Sequence, residues 1–367
     1  MTQLILTRYL YNLNEVIHSL LLSILEKESF KETLFWVSEL YYSKFYNLLW
    51  ELLWKIYYDF YAINNPKFEK FITKCNKKWL KKKSINHIID VVNVLYYNKS
   101  INNDVFILRT LEPNLPTKIY RGRNPKWMKA IKHMNLTKKE KVFIRSIDDK
   151  NFKNIKFYFN QIKDVDRCYI LIKEYFKVKH KLILREKDLS SIPYKNTQHI
   201  LLAVICYLLT DINNVNKRLI KRKVETDNIE FVKNTDVQTT PVCKLLGQTR
   251  LYSINPSVGF FENCRTKNYS ELLWYNWEYF TQGCPLWDER FKKLKCTFDK
   301  KKYEPIFPND DILEKFYEQF GLEPDEQSKA CQDKSLIVLT DVISYENIGN
   351  LVINIKNKQY LPISDYN

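Results

Sequence analysis

The residues best suited to chemistry lie between positions 118 and 132. Lys118, Tyr120, Arg121, Arg123, Lys126, Trp127, Lys129 and Lys132 interleave cations with aromatic rings, and two of the scarce arginines flank Gly122. Binders of single-stranded nucleic acid use this mixture, stacking bases on rings while cations track the phosphates. The same residues also suit a surface loop that Tyr120 and Trp127 simply anchor to a core. Two further basic clusters read as solvated helix ends, where cations complement the helix dipole. One is Lys77, Lys78, Lys81, Lys82 and Lys83 around Trp79. The other is Lys217, Arg218, Lys221, Arg222 and Lys223.

Other chemistries lack their parts. Only 6 Gly occur, and their spacing builds neither G-x-x-x-x-G-K nor G-x-G-x-x-G, so phosphate-cradling loops are excluded. The eight Cys form no C-x-x-C and none lies within four residues of a His, which argues against a structural zinc site. No Ser sits in G-x-S-x-G. Carboxylate pairs are the remaining enzymatic option. Asp148–Asp149, Asp164 with Asp166, and Asp310–Asp311 all fall where helix N-termini are expected, a position that explains them without catalysis. The stretch Glu323–Glu326 followed by Lys329 has a nuclease-like composition, but its acid and Lys are three apart in an expected helix rather than two apart on a strand. No catalytic residue, cofactor or metal ligand is therefore expected.

The net charge of +17 fits a polyanion partner, because bound Lys and Arg release counterions from nucleic acid. It also fits drift in an AT-rich genome, since Lys, Asn, Ile and Tyr abound and only 12 of 59 basic residues are Arg. Residues 303–346 oppose the trend with eleven acidic against three basic side chains. The longest apolar run, Ile200–Leu209, is about half the roughly 20 residues of a membrane span. Residues 1–10 show no secretory pattern, so an intracellular location is expected.

The elements that must position these residues are mostly helical. Apolar residues recur at helical spacing through 13–97. In Phe45–Ile63 the charges Glu51, Lys55 and Asp59 form one stripe on an otherwise apolar helix, which then needs neighbours on several sides. Pro66 opens a helix over Lys67–Leu80, and Ser84 caps the next. Residues 112–126, with three Pro and the single early Gly, read as a loop. Thr137 and Glu140 make a capping box, and helices follow at Asn151–Ile162, Asp164–Val178 and Asn196–Leu209. The texture of 225–268 suggests an irregular excursion, with helix returning at Ser270–Phe280 and again after Asn309. Leu336–Val342 and Leu351–Ile355 suit two short strands.

The expected fold is mainly α: a helical bundle or short α-solenoid-like N-terminal domain (1–111), a basic Pro-containing loop (112–126), a second helical region (127–224), and a mixed C-terminal region (225–367) with a small β element.

The segment Leu34–Ile72, with the words RGRNPKW and EPDEQSK, resembles an uncharacterised protein family of giant viruses, the mimivirus-related nucleocytoplasmic large DNA viruses. The resemblance implies an AT-rich viral genome, a host cytoplasm or viral factory, and a fold with no assigned chemistry. The leading expectation is a non-enzymatic viral helical binding or scaffold protein, in the virion or factory, with viral proteins as partners. The alternative is a nucleic-acid-associated accessory protein of viral replication, transcription or packaging that uses residues 118–132.

Overall fold

A computed structural model describes residues 5–27, 29–98, 101–102, 105–106, 116, 120, 124–162, 164–181, 222–235 and 275–320. The fold is mainly α. Its helices are α1 (Leu13–Glu26), α2 (Phe30–Tyr42), α3 (Tyr46–Ile56), α4 (Phe68–Lys82), α5 (Asn86–Tyr97), a 3₁₀ helix (Lys126–Met134), α6 (Lys138–Asp148), α7 (Phe152–Ile162), α8 (Val165–His180), α9 (Thr226–Asn234), α10 (Trp277–Phe280), α11 (Pro285–Lys293) and α12 (Asp310–Phe320). Strands β1 (Thr297–Asp299) and β2 (Glu304–Ile306) pair antiparallel, with Phe298 opposite Pro305. The strands foreseen at 336–355 and the helix at 196–209 lie outside the described residues, as does all of 236–274.

The chain forms two compact units, neither contiguous in sequence. The first gathers Met1–Leu52, Lys74–Tyr97 and Lys221–Asn357. In it α1 packs on α2 and α5, and α9 packs on α2. Contacts over such separations make a bundle rather than a solenoid, whose repeats touch only their neighbours. Leu20, Leu21, Ile24, Leu34, Val37, Leu40, Ile88, Val92 and Leu95 fill its interior. A buried ion pair ties the N-terminal segment to α2: Arg8 Nε donates to Glu39 at 2.9 Å, and Thr7 Oγ1 and Tyr9 N converge on the same carboxylate. Around α10–α12, Leu6, Leu10, Trp277, Phe280, Cys284, Trp287, Phe291 and Phe316 form an aromatic cluster.

The second unit gathers Leu53–Thr73, Asn98–Ile220 and Lys358–Asn367. Within it α6, α7 and α8 pack on one another and the 3₁₀ helix lies on α8. Phe143, Ile144, Ile147, Ile155, Leu171, Ile172 and Phe176 are buried there.

Local signals account for many boundaries. Asn12 and Ser29 cap α1 and α2 through side-chain acceptors. Thr137 and Glu140 form both halves of the capping box of α6. Asn309 Oδ1 accepts from Ile312 N, with Asp310 and Asp311 in the first turn of α12. Three expectations need correction. The helix over 45–63 is not α throughout: α3 passes directly into a π turn at Tyr57–Tyr61, where Ala62 N reaches Tyr57 O. A π turn rotates the register, so Asp59 leaves the Glu51–Lys55 stripe and is fully buried. The irregular stretch 225–268 contains a helix, α9, which Val232 fastens inward. Finally, Asp148–Asp149 stand at the C-terminus of α6, where the helix dipole disfavours anions.

Candidate nucleic-acid interface

The 3₁₀ helix carries the predicted residues Lys126, Trp127, Lys129 and Lys132. Its sequence, KWMKAIKHM, repeats every three residues. In a 3₁₀ helix residues i and i+3 eclipse one another, so the triplets sort into three rows. Met128 and Ile131 are buried and Met134 half-buried. Lys126, Lys129 and Lys132 are all exposed. Trp127 is half-buried, with Ala130 and His133 exposed beyond it. A period of three with one apolar row is what selects the tighter helix over an α-helix. At a rise of about 2 Å per residue, the Cα atoms of Lys126 and Lys129 stand about 6 Å apart along the row. Ile131 departs from helical geometry (φ −104°, ψ 15°) and kinks the segment between Lys129 and Lys132, and Asn135 ends it in the left-handed conformation.

Both ends of this helix are fixed to α8. At the N-terminal end Trp127 Nε1 donates to Asp148 Oδ2 at 3.2 Å, and its ring meets Tyr175 edge-on at 5.3 Å. Tyr175 donates its hydroxyl to Asp148 Oδ1 at 3.0 Å, and the Lys179 ammonium lies 3.3 Å from the same oxygen. Three donors from two other elements explain why a carboxylate persists at a helix C-terminus. At the other end Arg167 Nη2 donates to Met134 O at 2.7 Å, while its Nε holds Glu140 at 2.6 Å. Tyr175 follows Arg167 by eight residues, so the anchors are about 12 Å apart on α8. On the 3₁₀ segment, Trp127 and Met134 follow in the opposite order. The two elements therefore run antiparallel.

Electrostatics follow from this packing. Burial raises the Tyr175 phenol, and Asp148 beside it adds to that. His180, whose Nε2 lies 3.3 Å from the Tyr175 hydroxyl, is lowered by burial and then by Lys179, with Asp148 opposing. Burial pushes Glu140 up, but the bonds from Arg167 and Thr137 outweigh it and hold the carboxyl below its usual range.

Of the remaining predicted residues, Tyr120 is half-buried, with the Arg145 guanidinium 4.6 Å from its ring centroid. Lys118, Arg121 and Arg123 lie outside the described residues. The other two basic clusters belong to the first unit, as far as they are described. Lys83 covers the buried Trp79 at 3.7 Å just before α5. Arg222 lies over Tyr97 at 4.3 Å at the far end of that helix. A 12-residue helix separates them by about 18 Å. Sequence reasoning missed Asp148, Arg167, Tyr175, Lys179 and His180 as supports. The triplet repeat in KWMKAIKHM was the available signal.

Among the described residues no group of three or more His, Cys, Asp or Glu is placed to hold a metal ion. Burial pushes the thiols of Cys168 and Cys284 up to about 12 and that of Cys296 to about 11, so none is poised as a thiolate. No described helix is long and apolar enough to cross a membrane. Compared with known proteins, the chain matches no family model, no curated protein and no solved structure.

Proposed function

We propose that the chain is a non-enzymatic helical binding protein whose lysine row, Lys126, Lys129 and Lys132, tracks the phosphates of single-stranded nucleic acid. One observation carries the reading: three exposed cations recur every third residue along a short 3₁₀ segment, Lys132 beyond its kink, and the segment is pinned at both ends. Pinning matters because a preorganised row loses little freedom on binding. The affinity comes from charge more than from stacking. The Trp127 N–H is already bonded to Asp148 and Lys179 lies 5.9 Å from the ring centroid, so the indole serves as an anchor. A scaffold that recruits partners through its aromatic helices is less well supported. Trp36, Trp79, Tyr57, Tyr58, Tyr61 and Phe60 are all almost fully buried and spend their surface on the core. In the setting implied by the giant-virus resemblance, such a protein would accompany the viral nucleic acid during replication, transcription or packaging.

The test is binding of labelled oligothymidylate and oligouridylate across a salt series. The slope of log affinity against log salt scales as about 0.7 per neutralised phosphate on a single strand. Replacing all three lysines by Gln is expected to reduce that slope by about 2, whereas Trp127→Phe leaves it unchanged. An unaltered slope in the triple variant, or no binding at low salt, overturns the proposal.

A further inference from the structure

Glu278, on the short helix α10, is 2% exposed and sits among the aromatic side chains of the first unit. Its own helix supplies Trp277, which stacks on Phe316 of α12 at 6.0 Å and meets Trp287 of α11 at 5.0 Å. Among the described residues one side-chain donor reaches the carboxyl: the Tyr317 hydroxyl of α12, at 2.6 Å from Oε1. The other oxygen, Oε2, is buried and has no hydrogen-bond partner. An orphaned carboxylate oxygen in an apolar cluster costs far more when charged than when neutral.

The titratable groups around it do not compensate. Tyr317 faces it from α12, and Cys296 lies close enough, before β1, for its thiol to be raised by the Glu278 charge as well as by burial. Tyr279 and Tyr303 border the same cluster, ring against ring at 4.9 Å. On α11, Arg290 is turned onto the rings of Trp287 and Phe320. In the N-terminal segment, Arg8 is committed to Glu39. Burial accordingly pushes the Glu278 carboxyl up to about 7, against the smaller opposing pull of Tyr317 and of the residue's own backbone N–H.

We propose that Glu278 is a protonation latch: its neutral carboxyl lets α12 close on the aromatic cluster, and its ionisation loosens that helix. The mechanical link is direct, because Tyr317 and Phe316 are adjacent in α12. One bonds the carboxyl and the other stacks on Trp277. The sign follows from linkage. With the closed-state value about 7 and the open-state value near 4.5, closure is strongest below 4.5 and weakens as pH rises. The weakening levels off above about 7.

Hydrogen exchange of the full chain, read on α12 peptides and corrected for intrinsic base catalysis, tests this. The opening constant of α12 is expected to rise by almost two orders of magnitude between pH 5 and 8, while α1 and α2 show no such rise. Glu278→Gln keeps a neutral side chain and should abolish the pH response. Tyr317→Phe removes the donor that favours the anion, so it should leave the onset of the rise in place and extend it to higher pH, whereas a merely structural loss would open α12 equally at every pH. If the Gln variant does not fold, carboxyl ¹³C titration of the wild-type protein reads Glu278 directly. A midpoint in the ordinary carboxylate range, or a wild-type profile identical to that of Glu278→Gln, overturns the latch.

Discussion

Two tyrosine–carboxyl pairs, one in each unit, have opposite surroundings. In the second unit Asp148 accepts from Tyr175 at 3.0 Å, from the Trp127 indole and from Lys179. In the first unit Glu278 accepts from Tyr317 at 2.6 Å, and its second oxygen has no partner. The phenol contributes the same kind of bond in both places. The difference lies in what else arrives: a second neutral donor and an ammonium at Asp148, and at Glu278, among the described residues, no second side-chain donor. The comparison teaches that the same tyrosine bond leaves a carboxyl braced or desolvated according to its remaining neighbours.

The largest expected effect is at Glu278. Between pH 4.5 and 8 its raised titration should remove about 3 kcal/mol from the stability of the α10–α12 region. Glu278→Gln should therefore flatten the pH dependence and exceed wild type at pH 8, as measured by urea unfolding at both ends of that range. Equal slopes for the two proteins would erase the contrast between the pairs.

Asp148→Ala comes next. It leaves the Tyr175 hydroxyl, the Trp127 N–H and Lys179 without their shared acceptor, at an expected cost of about 2 kcal/mol. Faster amide exchange across the 3₁₀ helix and α8 would report it. Asp148→Asn retains an acceptor and should cost less than half as much. Tyr175→Phe should cost about 1 kcal/mol, since it deletes one bond of that cluster. The smallest change in stability, under about 0.5 kcal/mol, is expected for Lys126, Lys129 and Lys132 replaced together by Gln, because all three are exposed. In that variant the change should appear in the salt dependence of binding instead.

Several features were legible in the residues themselves. The capping box at Thr137 and Glu140, the cap at Asn309 and the apolar stripes of α1, α2 and α5 depend on neighbours within four positions, so their types and spacing suffice. The lysines of the 3₁₀ helix were visible as a basic run. Their alignment was not, because it needs a period of three where a period of 3.6 was sought. The C-terminal β element was expected further along than the hairpin of β1 and β2. Short strands of three residues carry too little alternation to be placed from sequence.

The sequence by itself determined a mainly helical chain, rich in buried rings, with its cations gathered in short runs. Composition and local periodicity specify that much, since helix formation and capping act over single turns. Only the tertiary structure decided which carboxyls meet donors and which are left in apolar surroundings. Asp148 was expected at a helix start and stands at a helix end, where Trp127 and Lys179 hold it. Glu278 had no distinguishing context in the sequence, yet it is buried and held by Tyr317. Desolvation and hydrogen bonding depend on residues 21 to 39 positions away, and no local pattern encodes that environment.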